Sequence, residues 1–480
     1  MSQNKSRTGV LLGAVLAVLA AVAALFLLSD DLRTEAKLRA GEAVGNIAQE
    51  RLEGLVSESG EMERAADLIN VPIEARQLTD NVYQARGVGN VQLISTDEGN
   101  VIFDTGLSIQ AAKQRRVLEE IVPDRPVTHV IVSHSHADHE GGTPFWTSSD
   151  TEIVAHREFE EEQRYLKQLE PYFHARNRTL FPFIPEELPN IPLISYGGVE
   201  PTIVVGDEPF VFEQGGVRFE VLPTPGAEGA DNICLWLPQS KVLLSGDFFG
   251  PLFPQFPNIF TMRGEKVRKP IEYIASLDRI IALEPEIIIP SHNNPIEGRD
   301  KIRADLVRMR DAVQYVHDET VKGMNAGKTV HQLMTEITLP PELELRQIHG
   351  RVSWGVKSIW EYYATWFHFD STAELYPVPA SDSYAAIAEL AGVDALVERA
   401  QLEFAEGKPI RAIQLLDVAL AADEAHVAGL EARLGVLKSL REAAKEGLRN
   451  AYEIDWLNSR IRKTQEQLAL AQGVVVTDQG

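Results

Sequence analysis

The chain has 480 residues, a formal charge of −24 and a single cysteine, Cys234. Because single domains usually have about 100–200 residues, this length predicts two or three domains. The negative charge disfavours nucleic acid as a partner, since nonspecific binding to phosphates needs a basic surface. Cys234 lies in an apolar run and is predicted to be a small buried hydrophobe, so a disulfide framework and a cysteine-rich zinc site are excluded.

The N-terminal region contains an uncharged apolar stretch from Gly9 to Leu28, long enough as a helix to cross about 30 Å of hydrocarbon. A cleaved signal sequence is the alternative, but the stretch exceeds the usual ~7–15 residues and its Ala-x-Ala pattern lies inside the apolar run. We therefore expect residues 1–30 to be a transmembrane anchor. The short tail before it favours a single-pass protein with a cytoplasmic N-terminus and a periplasmic or extracytoplasmic catalytic part.

Residues 31–75 are charged and alanine-rich with helical spacing, and they are predicted to form a juxtamembrane helical spacer. The following region alternates short β-rich runs with turns. Three strands, a helix over 108–121 and a strand over 128–133 are predicted. A second β-rich block follows, then a helix around 268–283 and an apolar strand. Two β-rich halves with interspersed helices predict an α/β fold, an αββα sandwich over residues 76–380.

Strand signals almost vanish beyond about residue 300. Residues 385–470 have helical periodicity, interrupted by a break at Gly407, Lys408 and Pro409. The pattern is typical of a helical hairpin, but too few units are visible for a solenoid, which normally needs about three. Residues 381–480 are therefore predicted to be an all-α interaction or dimerisation domain.

Three imidazoles and a carboxylate lie within six residues, directly after the predicted strand over 128–133: His134, His136, Asp138 and His139. In an extended segment, residues two apart point the same way. His134 and His136 can therefore converge on one metal ion while Asp138 and His139 face a neighbouring one. A merely histidine-rich polar loop is the alternative, but only 12 histidines occur in the whole chain. The pattern predicts a metal site.

Three further metal-ligand residue types follow apolar strands: Glu228, Asp247 and His292. Taken alone, an acid in a glycine-rich turn is more often a cap or a solvated side chain. Their shared position at strand ends favours a common site with the histidine cluster.

The motif His134-x-His136-x-Asp138-His139 resembles that of the metallo-β-lactamase superfamily. So do three strand-end motifs: Asp104-Thr105-Gly106, Gly246-Asp247 and Ser291-His292. Most hydrolases of that superfamily have a histidine shortly after the Thr-Pro-Gly turn, where this chain has Glu228. A glutamate there resembles the alkyl sulfatase branch. Residues 258–264 and 385–460 also look like segments of that branch, the latter like its helical dimerisation domain.

The resemblance implies a homodimeric dinuclear zinc hydrolase acting on small-molecule sulfate esters. One Zn²⁺ would be held by His134, His136 and Glu228. The other would be held by Asp138, His139 and His292, with Asp247 bridging the two ions. Two Zn²⁺ ions that share a water would lower its pKa towards neutrality, so that metal-bound water or hydroxide would be the nucleophile.

The resemblance also implies roles for residues that do not bind metal. Asn258 and Arg263 match residues that face the sulfate group in that branch, and Tyr172 is expected to line the pocket. The candidate catalytic residues are therefore Asp138, Asn258 and Arg263. A turn residue and a surface salt bridge are the alternatives for Asn258 and Arg263. Asp104 is expected to orient a ligand histidine rather than to bind metal.

Two positions depart from the branch's pattern. Asp247 stands where the branch usually has a glutamate, and a shorter carboxylate can still bridge two metals. Trp354 stands where it has a histidine, a candidate proton donor to the leaving group. Another ester hydrolase of the same fold, such as a lactonase, thioesterase or phosphodiesterase, remains an alternative. So does a membrane-anchored interaction protein with a vestigial metal site, whereas redox use of iron is disfavoured because no flavin domain is apparent.

Overall fold

The computed structural model describes residues 30–59, 71–181, 184, 198–259 and 261–474. Its first helix, α1 (Asp30–Ser59), packs against α2 (Ser108–Glu119). Leu38 of α1 is buried in the core, and Arg116 of α2 donates to Glu35 at 2.6 Å. Where the helices cross, a Cβ on Gly45 would lie 2.1 Å from the carbonyl oxygen of Ile109, so only glycine allows this approach. The helix is thus part of the packed body.

The structure corrects the prediction of a membrane-spanning helix and of the single-pass membrane location that depended on it. No helix among the described residues is both long enough and apolar enough to cross a membrane. Helix α1 has sufficient length, with 30 residues, but it carries charged side chains along its whole sequence. The apolar stretch from Gly9 to Leu28, on which the prediction rested, lies outside the described residues.

Seven strands form the first sheet, in the order of the sequence. They are β1 (Ala75–Gln77), β2 (Val82–Ala85), β3 (Val91–Thr96), β4 (Gly99–Phe103), β5 (Val127–Ile131), β6 (Glu152–His156) and β7 (Ile203–Val205). The pairs from β1 to β4 are antiparallel, and those from β4 to β7 are parallel. Besides α2, the helices between these strands are α3 (Ala137–Glu140), α4 (Thr143–Trp146), α5 (Phe159–Gln168) and α6 (Glu170–Leu180).

Six strands form the second sheet, in the order β13-β12-β11-β10-β9-β8. They are β8 (Phe210–Gln214), β9 (Val217–Pro223), β10 (Ile233–Leu237), β11 (Val242–Gly246), β12 (Ile287–Pro290) and β13 (Ile296–Glu297). The β11–β12 pair is parallel and the others are antiparallel. A parallel pair requires a crossover connection, and helix α7 (Pro270–Leu283) lies in that connection.

The two sheets pack face to face, with helices on both outer faces. Strand β4 is buried on both of its faces in this arrangement, and its apolar residues are accordingly consecutive rather than alternating. Val101 and Phe103 lie in the core between the sheets, together with Phe219 and Leu235 of the second sheet. Ile102 points the other way, into the core shared with α1 and α2. This is the predicted αββα sandwich.

The outer face of the second sheet is covered by α7 together with helices that follow the last strand. These are α8 (Arg299–Asn325), α9 (Val330–Glu336) and α10 (Val352–Ala364). Cys234 is buried in this layer as a free thiol, as predicted.

The described chain from residue 384 onwards is mainly helical and has apolar clusters of its own. Its helices are α11 (Tyr384–Ala391), α12 (Val393–Ala405), α13 (Pro409–Ala422), α14 (Val427–Glu446) and α15 (Ala451–Ala471). Gly407 has a φ of +76° and Pro409 begins α13, so the predicted break falls between α12 and α13.

Candidate metal centre

The predicted ligand residues follow strands of both sheets and meet at one edge of the sandwich. Strands β11 and β12 are parallel neighbours, with Gly246 opposite Pro290, so Asp247 and His292 leave the second sheet side by side. His292 Nε2 lies 3.0 Å from Asp247 Oδ2. The histidine motif follows β5 of the first sheet, so the site is formed between the two sheets.

Gly246 allows the two sheets to approach at this edge. Its φ is +55°, which favours glycine, and a Cβ there would lie 2.5 Å from the Cβ of Ser133. Ser133 directly precedes the histidine motif, and Gly246 directly precedes Asp247. The absence of a side chain at Gly246 therefore lets the two ligand segments come together.

The first half of the site contains His134 and His136. Their facing nitrogens, Nε2 of His134 and Nδ1 of His136, are 2.8 Å apart. The loop between them is held by Asp231, a buried residue whose Oδ2 accepts from the Ser135 amide at 2.9 Å. Burial, reinforced by His139, holds the pKa of His134 well below its usual value. His134 is therefore neutral, as a metal ligand must be.

The second half brings Asp138, His139, Asp247 and His292 together. Asp138 Oδ2 lies 3.5 Å from His139 Nε2 and 3.4 Å from His292 Nε2, and Asp247 Oδ2 lies 3.5 Å from His139 Nε2. The potential ligand atoms form two groups, and within each group all of them lie within 4.8 Å of one another. One group is His134, His139 and Asp247, and the other is Asp138, His139 and His292. This compact set of imidazole and carboxylate donors suits a divalent metal such as zinc.

Two buried polar atoms support the fit of a metal. Within the described part of the chain, His139 Nε2 and Asp247 Oδ1 have no hydrogen-bond partner. A buried polar atom without a partner is costly unless something else binds it. Both atoms belong to residues of the second half, so a cation bound there would satisfy them.

The same residues perturb one another's proton affinity. Burial lowers the pKa of His292, but Asp247 and Asp138 outweigh it and raise the pKa to about 9. The pKa of His139 is raised well above its usual value because Asp138, Asp247 and Asp104 outweigh burial. Conversely, burial would raise the pKa of Asp138, but His139 and His292 hold it far below the usual value. Without metal, the imidazolium charges of His139 and His292 offset part of the negative charge of these acids.

Asp104 lies beneath the ligands and connects three of their loops. Its Oδ2 accepts from His139 Nδ1 at 2.8 Å, from the Ser133 hydroxyl at 2.9 Å and from the Ser291 hydroxyl at 2.5 Å. Its Oδ1 accepts from the Ser133 amide at 2.8 Å. A carboxylate on Nδ1 leaves Nε2 of His139 facing the site, which is how a residue outside the metal shell orients a ligand histidine.

Glu228 lies across the site, but its carboxylate is held by an arginine. Arg268 donates to both oxygens, Nη1 to Oε1 at 3.0 Å and Nη2 to Oε2 at 2.8 Å, and both side chains are buried. Glu228 Oε2 lies 4.0 Å from His136 Nδ1. The structure thus brings Glu228 to the edge of the first half and gives it a buried ion pair.

Sequence reasoning missed Glu265 and Arg268, which complete this side of the site. Glu265 Oε1 lies 3.5 Å from His136 Nε2 and 3.1 Å from Arg263 Nη2, and its Oε2 accepts from Arg268 Nη2 at 2.9 Å. Burial opposes ionisation of Glu265, but Arg263 and His136 hold its pKa well below the usual value. Alternating charges in the segment 263–268 are the only sequence signal that could have found the two residues.

His349 and Tyr452 were also missed, and they come from a distant part of the chain. A Cβ on Gly250 would lie 3.5 Å from His349 Cδ2 and 3.8 Å from Glu228 Oε1, so His349 and Glu228 flank the same glycine. Burial lowers the pKa of His349 to about 4, which keeps the ring neutral. The ring packs on Tyr452 of α15, with centroids 5.1 Å apart. Their positions outside any recognisable motif explain why the sequence did not point to them.

The loop that carries His349 is held by Asn450 at the start of α15. Asn450 Nδ2 donates to the carbonyl of Gln347 at 2.8 Å, while its Oδ1 accepts from the Glu453 amide at 3.2 Å as a helix cap. The Ala451 amide also donates to Ile348, at 2.8 Å. The last described helix therefore supports one wall of the site.

The predicted substrate residues differ in their placement. Asn258 is buried near Arg268, and its Nδ2 has no hydrogen-bond partner among the described residues. Arg263 lies against Glu265 and is 28% exposed. Tyr172 is 53% exposed, and its hydroxyl accepts from Arg176 at 3.2 Å.

Arg176 connects Tyr172 to the Arg263 segment. Arg176 also donates to the carbonyls of Met262 and Arg263, at 2.9 and 3.0 Å. Trp354 lies in α10, with the Arg351 guanidinium 5.8 Å from its ring centroid.

A small cavity adjoins Glu228. Polar groups on its wall come from Glu228, Asn258 and Arg268, and its apolar wall includes Phe249 and Ile259. The cavity therefore joins charged groups at the metal centre to an apolar surface.

Comparison with known proteins identifies two family regions. Residues 85–292 match the metallo-β-lactamase superfamily, whose membership implies divalent-metal binding, and residues 329–460 match the alkyl sulfatase dimerisation family. A linear primary-alkylsulfatase of a Pseudomonas species is 29% identical over 69% of this chain and 66% of its own length. An alkyl/aryl-sulfatase of Saccharomyces cerevisiae is 26% identical over 80% of this chain and 63% of its own length. The chain thus spans just under two thirds of these relatives.

Solved structures agree on the fold. The structure of a stereoselective inverting sec-alkylsulfatase from Pseudomonas sp. superposes with a TM-score of 0.69 and 23% identity. The superposition covers 86% of this chain and 67% of that one. Fold, ligand motif and both family matches agree: the chain carries a metallo-β-lactamase superfamily region, residues 85–292, and an alkyl sulfatase dimerisation region, residues 329–460.

Proposed function

We propose that the protein is a hydrolase of alkyl sulfate esters that uses two Zn²⁺ ions per chain. The observation that carries the proposal is the juxtaposition of a compact imidazole and carboxylate cluster with two arginines and a buried amide donor. The cluster provides metal ligands. Arg263 and Asn258 provide donors for an anion beside it, and Arg268 holds Glu228. The names of the relatives, which are alkylsulfatases, support this substrate class.

The proposed ligands are divided between two ions. His134, His136 and Glu228 hold one ion, Asp138, His139 and His292 hold the other, and Asp247 lies between the two. The 4.0 Å separation of Glu228 from His136 and the compact group of Asp138, His139 and His292 support this division. A carboxylate has about four lone-pair sites, so Glu228 can bind metal and keep its pairing with Arg268. Zn²⁺ bound there would act as a Lewis acid and lower the pKa of a bound water to about 7.

The protein's own groups would position the substrate. Arg263 would donate to sulfate oxygens from its guanidinium, and Asn258 would donate from its unpartnered Nδ2. Asp138 stays ionised, since its pKa is strongly lowered, and can accept a hydrogen bond from an attacking water. Phe249 and Ile259 form part of the apolar wall of the small cavity beside these groups. Tyr172, at an exposed position, remains a prediction for the outer part of the pocket.

The leaving group needs a different partner from the one that the family pattern suggests. Trp354 supplies no imidazole, whereas His349 borders Glu228 and is neutral. A neutral imidazole can hydrogen-bond to an ester oxygen through its ring N–H. We assign this contact to His349.

We also propose that the protein is a homodimer through its helical region. The strongly exposed apolar side chains there include Ile387 (44%), Leu390 (91%), Leu402 (56%) and Ile410 (59%). Burial of such side chains against a second copy is favourable. Light scattering would show a dimer, and Leu390→Glu would shift it towards monomer. A monomeric wild-type protein would refute this part of the proposal.

The substrate class is tested with zinc-loaded protein of measured metal content. Sulfate release from dodecyl sulfate is compared with hydrolysis of a lactone, a thioester and bis-nitrophenyl phosphate. We expect turnover of dodecyl sulfate above the other three. Two tightly bound zinc ions without any sulfate release would refute the sulfatase assignment, while fewer than about one zinc per chain would refute the dinuclear site.

A further inference from the structure

Glu265 occupies an unusual place for an acid in a site that should receive an anion. Its side chain is 9% exposed, and it contacts the guanidinium groups of both Arg263 and Arg268. One oxygen, Oε1, lies 3.1 Å from Arg263 Nη2. A carboxylate at this distance uses the donors that an incoming sulfate group would need.

The charges on this side of the site balance without any ligand. Two acids, Glu228 and Glu265, face two arginines, Arg263 and Arg268. The two arginines are not equivalent. Arg268 is 4% exposed and is held by both oxygens of Glu228, whereas Arg263 is 28% exposed and lies 3.8 Å from Glu228. Arg263 is therefore the arginine that a ligand can reach, and it lies closer to Glu265 than to Glu228.

We propose that Glu265 weakens anion binding by neutralising Arg263 and competing with the anionic group of the substrate for that guanidinium. The proposal rests on the proposed function in one respect, namely that Arg263 receives the sulfate group. An anion that binds must share Arg263 with Glu265 or displace it. Sulfate monoesters and the product sulfate therefore bind more weakly than Arg263 alone would allow, and product release is easier.

The test measures binding of inorganic sulfate to zinc-loaded protein by calorimetry, with zinc content determined for every variant. Glu265→Gln removes the charge and keeps an oxygen that can accept from His136. We expect it to bind sulfate about tenfold more tightly than wild type, the size of effect typical of one charge-assisted contact. Arg263→Gln should weaken binding, and the double variant should bind no more tightly than Arg263→Gln, because the two side chains act through one contact.

A matched control separates this local effect from net charge. Glu161→Gln changes the formal charge by the same amount, but Glu161 is 41% exposed and pairs with Arg164 and Lys266. It should leave sulfate binding unchanged. Equal affinities of Glu265→Gln and wild type would overturn the proposal, and so would a gain that persists in the double variant. Loss of zinc from Glu265→Gln would also overturn it, since Glu265 would then serve His136 and the metal.

The measurement needs no turnover and so does not depend on the substrate assignment. If wild-type protein releases no sulfate from dodecyl sulfate, the proposed function fails. A tenfold gain in sulfate affinity would still support the role of Glu265. If turnover is observed but Glu265→Gln shows no gain, only the role of Glu265 fails.

Discussion

The two halves of the candidate metal centre neutralise their acids in different ways. Around His139, the acids Asp138, Asp247 and Asp104 contact imidazoles. Around Glu228, the acids contact the guanidinium groups of Arg263 and Arg268. Imidazoles can lose their protons to a metal, whereas arginines keep theirs. The charge around His139 therefore changes when metal binds, whereas the charge on the arginines beside Glu228 stays the same with or without metal.

The largest effect is expected from the imidazole side. His139→Ala removes a side chain that belongs to both compact ligand groups. Zinc content should fall by at least one ion per chain, and kcat/KM should fall by at least about 10³-fold, because metal-dependent stabilisation of the transition state is lost. His129→Gln is the matched control, since His129, on β5, stacks on Phe212 of β8 and does not join the ligands. Full zinc content in His139→Ala would contradict the ligand assignment.

On the arginine side, the main effect should be on folding. Arg268→Met leaves Glu228 and Glu265 buried without their shared cation, which should lower the free energy of unfolding by about 3–5 kcal/mol in zinc-free protein. Denaturant titration measures this, and added zinc should restore part of the loss through Glu228. Arg218→Met breaks an exposed pair with Glu220 and should cost at most about 1 kcal/mol. If the two variants lost similar amounts of unfolding free energy, the buried role of Arg268 would be contradicted.

The comparison also predicts how zinc binding depends on pH. In metal-free protein His292 has a pKa of about 9, so at pH 7 it is protonated and must release a proton to bind zinc. Zinc affinity should rise by about tenfold per pH unit for each proton released, and the part of the rise due to His292 should end near its pKa. Calorimetry in buffers of different ionisation enthalpy measures the release. A binding enthalpy independent of buffer would contradict it.

The raised pKa of His292 has the opposite effect on the stability of the metal-free fold: that stability falls as pH rises. A histidine whose folded pKa is raised stabilises fully below its unfolded value of about 6.5. For His292, that contribution should be lost as pH rises through about 9. Metal-free protein should therefore become less stable between these limits while its zinc affinity increases.

The smallest effect is expected at the wall beside Glu228. Asn450→Ala removes the cap of α15 and the support of the His349 loop, which should lower the free energy of unfolding by about 1–2 kcal/mol. Asn458→Ala, on the same helix, should change it by no more than about 0.5 kcal/mol. Thermal unfolding of the two variants measures the difference. Equal melting temperatures would show that Asn450 is not a support of this wall.

Strand patterns and ligand spacing predicted the sandwich and the meeting of the ligand loops, because both depend on local periodicity. The position of Asp104 at a strand end likewise predicted a contact with a ligand histidine, which the structure shows with His139. The pairing of Glu228 with Arg268 could not be predicted in this way. Forty residues separate the two, and only the packing of their loops decides which cation reaches the acid.

Composition alone misled the reading of the N-terminal region. Apolar residues from Gly9 to Leu28 predicted a membrane span, but the described residues contain no such helix. Charged residues after them suggested a spacer, whereas Leu38 and Gly45 pack α1 against α2. A charged helix with a few well-placed small or apolar residues can be part of a core, and composition averages hide those positions.

Gly246 has a consequence for mutational tolerance. It carries no ligand, yet a methyl group there would push Ser133 away and with it the segment that begins the histidine motif. Gly246→Ala would increase the distance between ligands on opposite sheets without replacing any ligand residue. A saturation screen for zinc retention should therefore find this position as intolerant as the ligand positions themselves. Metal selectivity depends on the spacing of the ligands, and that spacing requires that residue 246 has no side chain.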